Sequence, residues 1–325
     1  MDKNAQDVTR EEALALVTQI AKQRRKDAEP RLLKSRPDFI VDVRQSQAKY
    51  GFHPRALPYN LADFSTFRAI LEREYDLQFK IPSELPQLMQ KLGRQPTPPS
   101  GQHGGQPSVF LNIDDVGQYL FRLPLPMAKF TGGRLDITKR SLVEIEEVTF
   151  DRENIEVLVS DTTDIAELLI KDLVQYLWAS AEADRSWEEI EKNLQKKTFG
   201  TSTRVRLGFP PSQLLSPDFG KFIDEQVIAG PRYGRMMASR SDRDDFGPPQ
   251  NSEESWFVDE LQVMVSRYDK TSRTHENEIF RIGVGRKDFQ GTDVVDIDSH
   301  LEFEEHVKFV EALIKQVSPS DSPKQ

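Results

Sequence analysis

The sequence predicts an α+β protein: an antiparallel or mixed sheet with amphipathic helices packed on it, preceded by a helical and extended N-terminal region. Three observations carry this expectation. Apolar segments of strand character come in pairs around 143–160 and 261–286, each pair split by polar turn residues. Apolar residues at helical spacing follow each pair. A Pro/Gly-rich stretch at 93–108 sets this pattern apart from a basic N-terminal third.

The first helix is signalled by Thr9-Arg-Glu-Glu12, a capping-box pattern, followed by Leu14, Val17, Ile20 and Ala21 at helical spacing, and is expected to reach about Lys26. Between Lys22 and Arg55 there are ten Lys or Arg against four acids, and Pro30, Pro37 and Pro54 interrupt the run. This predicts an extended arm holding one short strand, Phe39 to Val43. A second helix is expected over Leu61–Glu74, where Phe64, Phe67, Ile70 and Leu71 share a face, and a short third around Leu85–Leu92.

Beyond the linker, Val109–Ile113 and Tyr119–Leu123 have the composition of short strands. Val143–Phe150 and Ile155–Ser160 predict a hairpin whose turn is Asp151–Asn154. Ile165 to Trp178 is apolar around more than half its circumference, the pattern of a largely buried helix. A polar helix near Ser186–Gln195, a half-exposed strand over Thr203–Phe209 and a helix at Asp218–Ile228 follow. Residues 232–255 are expected as a long loop. Strands at Leu261–Tyr268 and Ile279–Arg286 flank the polar turn 269–278. Ser299-His-Leu-Glu302 reads as a second capping box before a final helix with Phe303, Val307, Val310, Ile314 and Val317 at helical spacing.

The domain organisation expected from this is an N-terminal region 1–92, a linker 93–108, an α+β domain 109–318 and a polar tail 319–325. Residues 142–180 and 261–317 share the order strand, strand, helix, which suggests a repeated ββα unit.

Several function classes are excluded or unsupported. The 325 residues contain no cysteine, so disulfides, thiolate nucleophiles, iron–sulfur clusters and cysteine-ligated zinc are impossible. With a polar N-terminus and no long apolar run, a cytoplasmic protein without membrane contact is expected. The net charge of -9 opposes a chain that coats nucleic acid by bulk electrostatics, while leaving room for a local basic patch. No Gly-x-Ser-x-Gly, Walker or His-Glu-x-x-His pattern occurs, and the Asp…Glu-x-Lys arrangement of a metal-dependent nuclease fails two residues beyond Glu156.

The densest titratable group is Asp293, Asp296, Asp298, His300, Glu302, Glu304, Glu305 and His306. His300 with Glu304, and Glu302 with His306, would share helix faces and suit a metal. Acids before a helix also follow from its dipole. Gly283-Val-Gly285-Arg286-Lys287 resembles a fragment of a phosphate loop without the rest of either standard pattern. A metal- or nucleotide-dependent enzyme centred on 283–306 is therefore a secondary alternative. No cofactor and no metal is assigned.

The basic segments carry the leading functional reading. Arg24, Arg25, Lys26, Arg31, Lys34 and Arg36 in the N-terminal arm, with Arg232, Tyr233, Arg235 and Arg240 in the later loop, are the candidate contacts for a partner or a phosphate. A non-enzymatic interaction or assembly protein is expected, docking a protein partner or a second copy through the N-terminal helices and arm. Nucleic-acid binding through residues 22–55 and 232–243 is the alternative.

Overall fold

The computed structural model describes residues 9–32, 36–81, 113–122, 128–138, 141–181, 185–215, 260–269, 274–283 and 292–317. These form six α-helices and nine β-strands, and every strand pairing described is antiparallel, so the α+β assignment holds. The chain divides into two compact units. The first comprises residues 1–34 and 45–199, the second 35–44 and 200–325.

In the first unit, helix α1 (Arg10–Leu32) starts with the expected capping box: Glu12 N–H donates to the Thr9 hydroxyl at 3.3 Å, and Thr9 N–H to the Glu12 carboxylate at 2.9 Å. It does not stop at Lys26. Pro30 removes one backbone donor in the last turns, but Ala28 is buried in the core and holds this end of the helix. Strand β1 (Ile40–Phe52), which belongs to this unit from Gln45 onward, replaces the later part of the expected extended arm. Its inward positions include Ser46 and Ala48 before Tyr50 and Phe52, so the buried face is too small and polar at its start to announce itself.

Helix α2 (Phe64–Tyr75) follows as expected, ended by Asp76 in the left-handed conformation, φ 55°. After the short strand β2 (Gln78–Lys80) comes helix α3 (Ile113–Arg122), where a strand at Tyr119–Leu123 was expected. Val116, Leu120 and Phe121 are buried at helical spacing, with Asp114 and Asp115 in the first turn and Arg122 in the last. Strand β3 (Ala128–Thr138) was not foreseen. Its Gly132-Gly133 pair suggests a turn, yet Gly133 lies against Leu77, and a Cβ there would stand 2.6 Å from that side chain.

Strands β4 (Ser141–Phe150) and β5 (Asn154–Val159) form the expected hairpin, with the Asp151 carboxylate accepting from the backbone N–H groups of Glu153 and Asn154. Helix α4 (Thr163–Ser180) is buried along nearly its whole length between β5 and the helices α1 and α2. Helix α5 (Trp187–Glu191) has its capping box at Ser186 and Glu189 but is shorter than expected, because β6 (Leu194–Arg206) begins at once. The first unit's strands run in the order β2-β3-β4-β5-β1. Its core gathers Tyr50, Phe52, Phe64, Phe67, Phe121, Phe130 and Phe150 with the inner face of α4.

In the second unit a 3₁₀ turn (Pro211–Leu214) precedes the hairpin of β7 (Glu260–Asp269) and β8 (Thr274–Gly283). Strand β9 (Val294–Ser299) then pairs with both β8 and β6, and α6 (Phe303–Val317) closes the unit. Strand β9 was not foreseen, although its inward Val295 and Ile297 alternate with the outward Asp296 and Asp298. Val205, Leu207, Ile282, Val295, Ile297 and Val310 form this unit's core. The helices expected at 85–92 and 218–228, the linker 93–108, the loop 232–255 and the strand expected at 109–113, save Ile113 which opens α3, lie outside the described residues.

Each unit follows one plan: a leading strand, a three-strand meander and a helix. The first has β1, then β3-β4-β5, then α4, with β1 returning to pair with β5; the second has β6, then β7-β8-β9, then α6, with β6 pairing with β9. Asn154 and Thr163 open β5 and α4, while Val294 and Phe303 open β9 and α6, so both equivalent starts lie 140 positions apart. The repeat is therefore one strand longer than the expected ββα, and β7 corresponds to β3 rather than to β4.

Candidate functional site

The most concentrated chemistry of the first unit sits where α1 lies on α4. Asp172, fully buried on α4, receives a hydrogen bond from the Arg24 guanidinium and one of 3.1 Å from the Tyr75 hydroxyl, and it forms an ion pair, not a hydrogen bond, with the Arg25 Nε at 3.5 Å. Arg24 Nη2 also donates to the Gln175 Oε1 at 2.5 Å. Burial pushes the Asp172 carboxyl above the ordinary Asp value, and the attraction of Arg24 and Arg25, with the Tyr75 hydrogen bond, works against that rise. Arg25 is nine-tenths buried, its guanidinium lying 4.8 Å from the centre of the Tyr75 ring.

This arrangement follows from helix geometry. Arg24 and Arg25 lie one to two turns beyond the buried Val17 and Ala21 that seat α1, so both reach α4. In the second unit the positions equivalent to Asp172, Gln175 and Tyr176 are Ala312, Lys315 and Gln316, and all three are exposed. The polar residues on α4 are thus matched to its covering helix.

Arg25 also lines a groove of about 580 Å³ formed by α1, α2 and β3. Lys22, Lys26 and Arg73 supply further cations, while Glu29, Glu74 and Asp136 supply carboxylates. Lys22, Arg25, Lys26 and Glu29 fall on one side of α1 because they are three or four residues apart. Arg73 is tied to Glu74 at 2.9 Å. Lys22 and Lys26 are exposed. The Arg25 Nε and Nη2, by contrast, are buried without a hydrogen-bond partner.

Of the residues singled out from the sequence, Arg24 and Arg25 are engaged inside the fold and Lys26 faces the groove. Arg31 belongs to α1, with its side chain outside the described residues, and Arg36 is exposed ahead of β1. Lys34, Arg232, Tyr233, Arg235 and Arg240 lie outside the described residues. Sequence reasoning missed Asp172 and Tyr75. A carboxylate inside the most apolar of the described helices was the available signal, because such a group is buried only with a partner.

Within the acidic cluster of the second unit, Asp296, Asp298 and His306 have structural partners. Asp296 holds Arg204 through two hydrogen bonds of 2.8 and 3.0 Å, and Asp298 holds Arg281 at 3.0 Å. His306 is fully buried, with Nε2 2.7 Å from the Thr203 hydroxyl and Nδ1 2.7 Å from the Ser299 hydroxyl. Burial pushes its pKa down to about 4, so the ring is neutral, one nitrogen donating and the other accepting. Ser299 ends β9 and accepts from Leu301 N–H at 3.3 Å, so its hydroxyl serves His306 and this turn rather than the expected capping box. Among the described residues no group of three or more His, Asp or Glu is placed to hold a metal ion. Residues 284–291, which contain Gly285, Arg286 and Lys287, lie outside the described residues.

Among the described residues no helix is long and apolar enough to cross a membrane. Compared with protein-family models, curated proteins and solved structures, the chain matches none.

Proposed function

We propose that the protein is a non-enzymatic interaction or assembly protein and that a protein partner docks in the groove between α1, α2 and β3. The observation that carries this reading is Arg25, a nearly buried cation whose Nη2 has no hydrogen-bond partner, lining an open groove beside the exposed Lys22 and Lys26. The mixed lining favours a protein over a nucleic acid. A duplex carries one negative charge per about 1.7 Å and would meet Glu29, Glu74 and Asp136, whereas a peptide can place charges of either sign opposite these groups.

Deleting residues 1–58 would remove α1 and β1 with their buried side chains, so the test must leave the fold intact. The double variant Lys22→Glu, Lys26→Glu alters only exposed groups. Wild-type and variant chains would be recovered from the native host and their co-purifying proteins quantified. Loss of a specific partner, with an unchanged melting temperature, is the expected result. Identical partners at identical yield would show that the groove does not dock them.

A further inference from the structure

We propose that Arg25 is the anchoring donor of an oxyanion-binding position in this groove, and that the group it takes is a carboxylate from an acidic side chain of the docked protein. The inference rests on the groove docking proposed above and specifies its chemistry.

Arginine offers five N–H donors in a planar fork suited to a carboxylate. The Arg25 fork is held in place before any ligand arrives, by the Tyr75 ring on one face and by Asp172 beside Nε. Asp172 is shared, since it already accepts from Arg24 and Tyr75, so it cannot match two guanidinium charges. What remains is a pre-oriented cation, 9 % exposed, that lines the groove and whose Nε and Nη2 are both buried without a hydrogen-bond partner. Buried donors in folded proteins are almost always bonded, and an oxygen admitted from the groove would supply the partner that these two lack.

The flanking charges set the ligand class. Lys22 and Lys26 lie three residues before and one residue after Arg25, able to steer an anion inward and shield it once bound. Glu29, Glu74 and Asp136 line the same groove and penalise a phosphate dianion more than a singly charged carboxylate.

The test is calorimetric titration of the full chain with a capped peptide of four glutamates alternating with glycines, its glutamine counterpart, and inorganic phosphate. The glutamate peptide is expected to bind at least tenfold more tightly than the glutamine peptide. Arg25→Gln should lower its affinity at least tenfold, and Lys26→Gln two- to fivefold. Should Arg25→Gln fail to fold, the Arg25 Nε–H resonance of the wild-type chain is followed instead, and it should shift as the glutamate peptide is added.

Equal binding of the two peptides, no binding of either, an unmoved Nε–H resonance, or phosphate binding in preference to the glutamate peptide would each overturn the carboxylate assignment. If partner recovery still depends on Lys22 and Lys26 while the glutamate peptide does not bind, groove docking stands and only its Arg25 chemistry is wrong.

Discussion

Arg204 on β6 faces Asp296 on β9 at the register position that Lys49 on β1 holds opposite Glu156 on β5. Both are cross-strand ion pairs, the first at 2.8 Å and the second at 3.4 Å. Their inward neighbours correspond too: Ala48 and Thr203, then Tyr50 and Val205, are all fully buried. The two units therefore share a pairing register as well as an order of elements.

The two pairs should differ in energetic weight. The Lys49 and Glu156 side chains are more than one-third exposed, whereas that of Arg204 is 8 % exposed. An exposed pair contributes roughly 0–1 kcal/mol. Removing one partner of a buried pair costs about 3–5 kcal/mol, because the other charge is stranded. Asp296→Ala is accordingly expected to lower unfolding stability by about 3 kcal/mol, and Glu156→Ala by no more than about 1 kcal/mol. Urea unfolding of both variants measures the difference, and similar losses would contradict it.

Asp172 makes a sharper case, being the shared acceptor for Arg24 and Tyr75 and the counter-charge beside Arg25. Asp172→Ala leaves two arginines against the core without their carboxylate and is expected to cost about 3–5 kcal/mol. Asp172→Asn keeps an oxygen acceptor and should cost less. Limited proteolysis gives the structural readout: cleavage within α1 should rise in the alanine variant, since α1 is the helix these contacts hold on α4.

His306 predicts an acid-dependent loss. Its pKa in the folded chain is about 4, against about 6.5 unfolded, so between those values the unfolded chain binds a proton that the folded chain excludes. This contribution is fully present above pH 6.5 and falls as pH drops towards 4. From pH 7 to pH 5 the loss is about 2 kcal/mol. His306→Gln keeps one donor and one acceptor for Thr203 and Ser299 without titrating. The wild-type chain should lose about 2 kcal/mol more than this variant over that interval, as read from urea midpoints. Equal losses would rule His306 out as the cause.

What the sequence revealed depended on side-chain contrast. Strands β4 and β5 and helices α2, α4 and α6 were legible because large apolar residues recur on one side at the proper period. Strand β9 carries the same alternation, Val295 and Ile297 against Asp296 and Asp298, but its acids belong to a longer acidic run whose cross-strand arginines are remote in sequence. Missing β9 also put the repeat out of step, matching β4 with β7. In the candidate site, the basic character of Arg24, Arg25 and Lys26 was visible, whereas the partner that makes two of them internal, Asp172, is some 148 positions from Arg24. Tertiary pairing of this kind leaves no local period to detect.

Helix α3 illustrates a conflict between propensity and packing, and it supplies a test with a reversal of sign. Gly117 costs an exposed helix about 1 kcal/mol relative to alanine, so Gly117→Ala would ordinarily stabilise. Here an added Cβ would stand 1.9 Å from the Phe64 ring, an aromatic fully buried against Phe79 and Phe121. Overpacking of this kind costs about 1–3 kcal/mol, which exceeds the helix gain, and Gly117→Ala should lower the melting temperature. In a Phe64→Ala background the obstruction is gone and the same substitution should raise it. A double-mutant cycle by thermal unfolding gives the coupling directly; a substitution that destabilises equally in both backgrounds would show that the ring is not what excludes the methyl group.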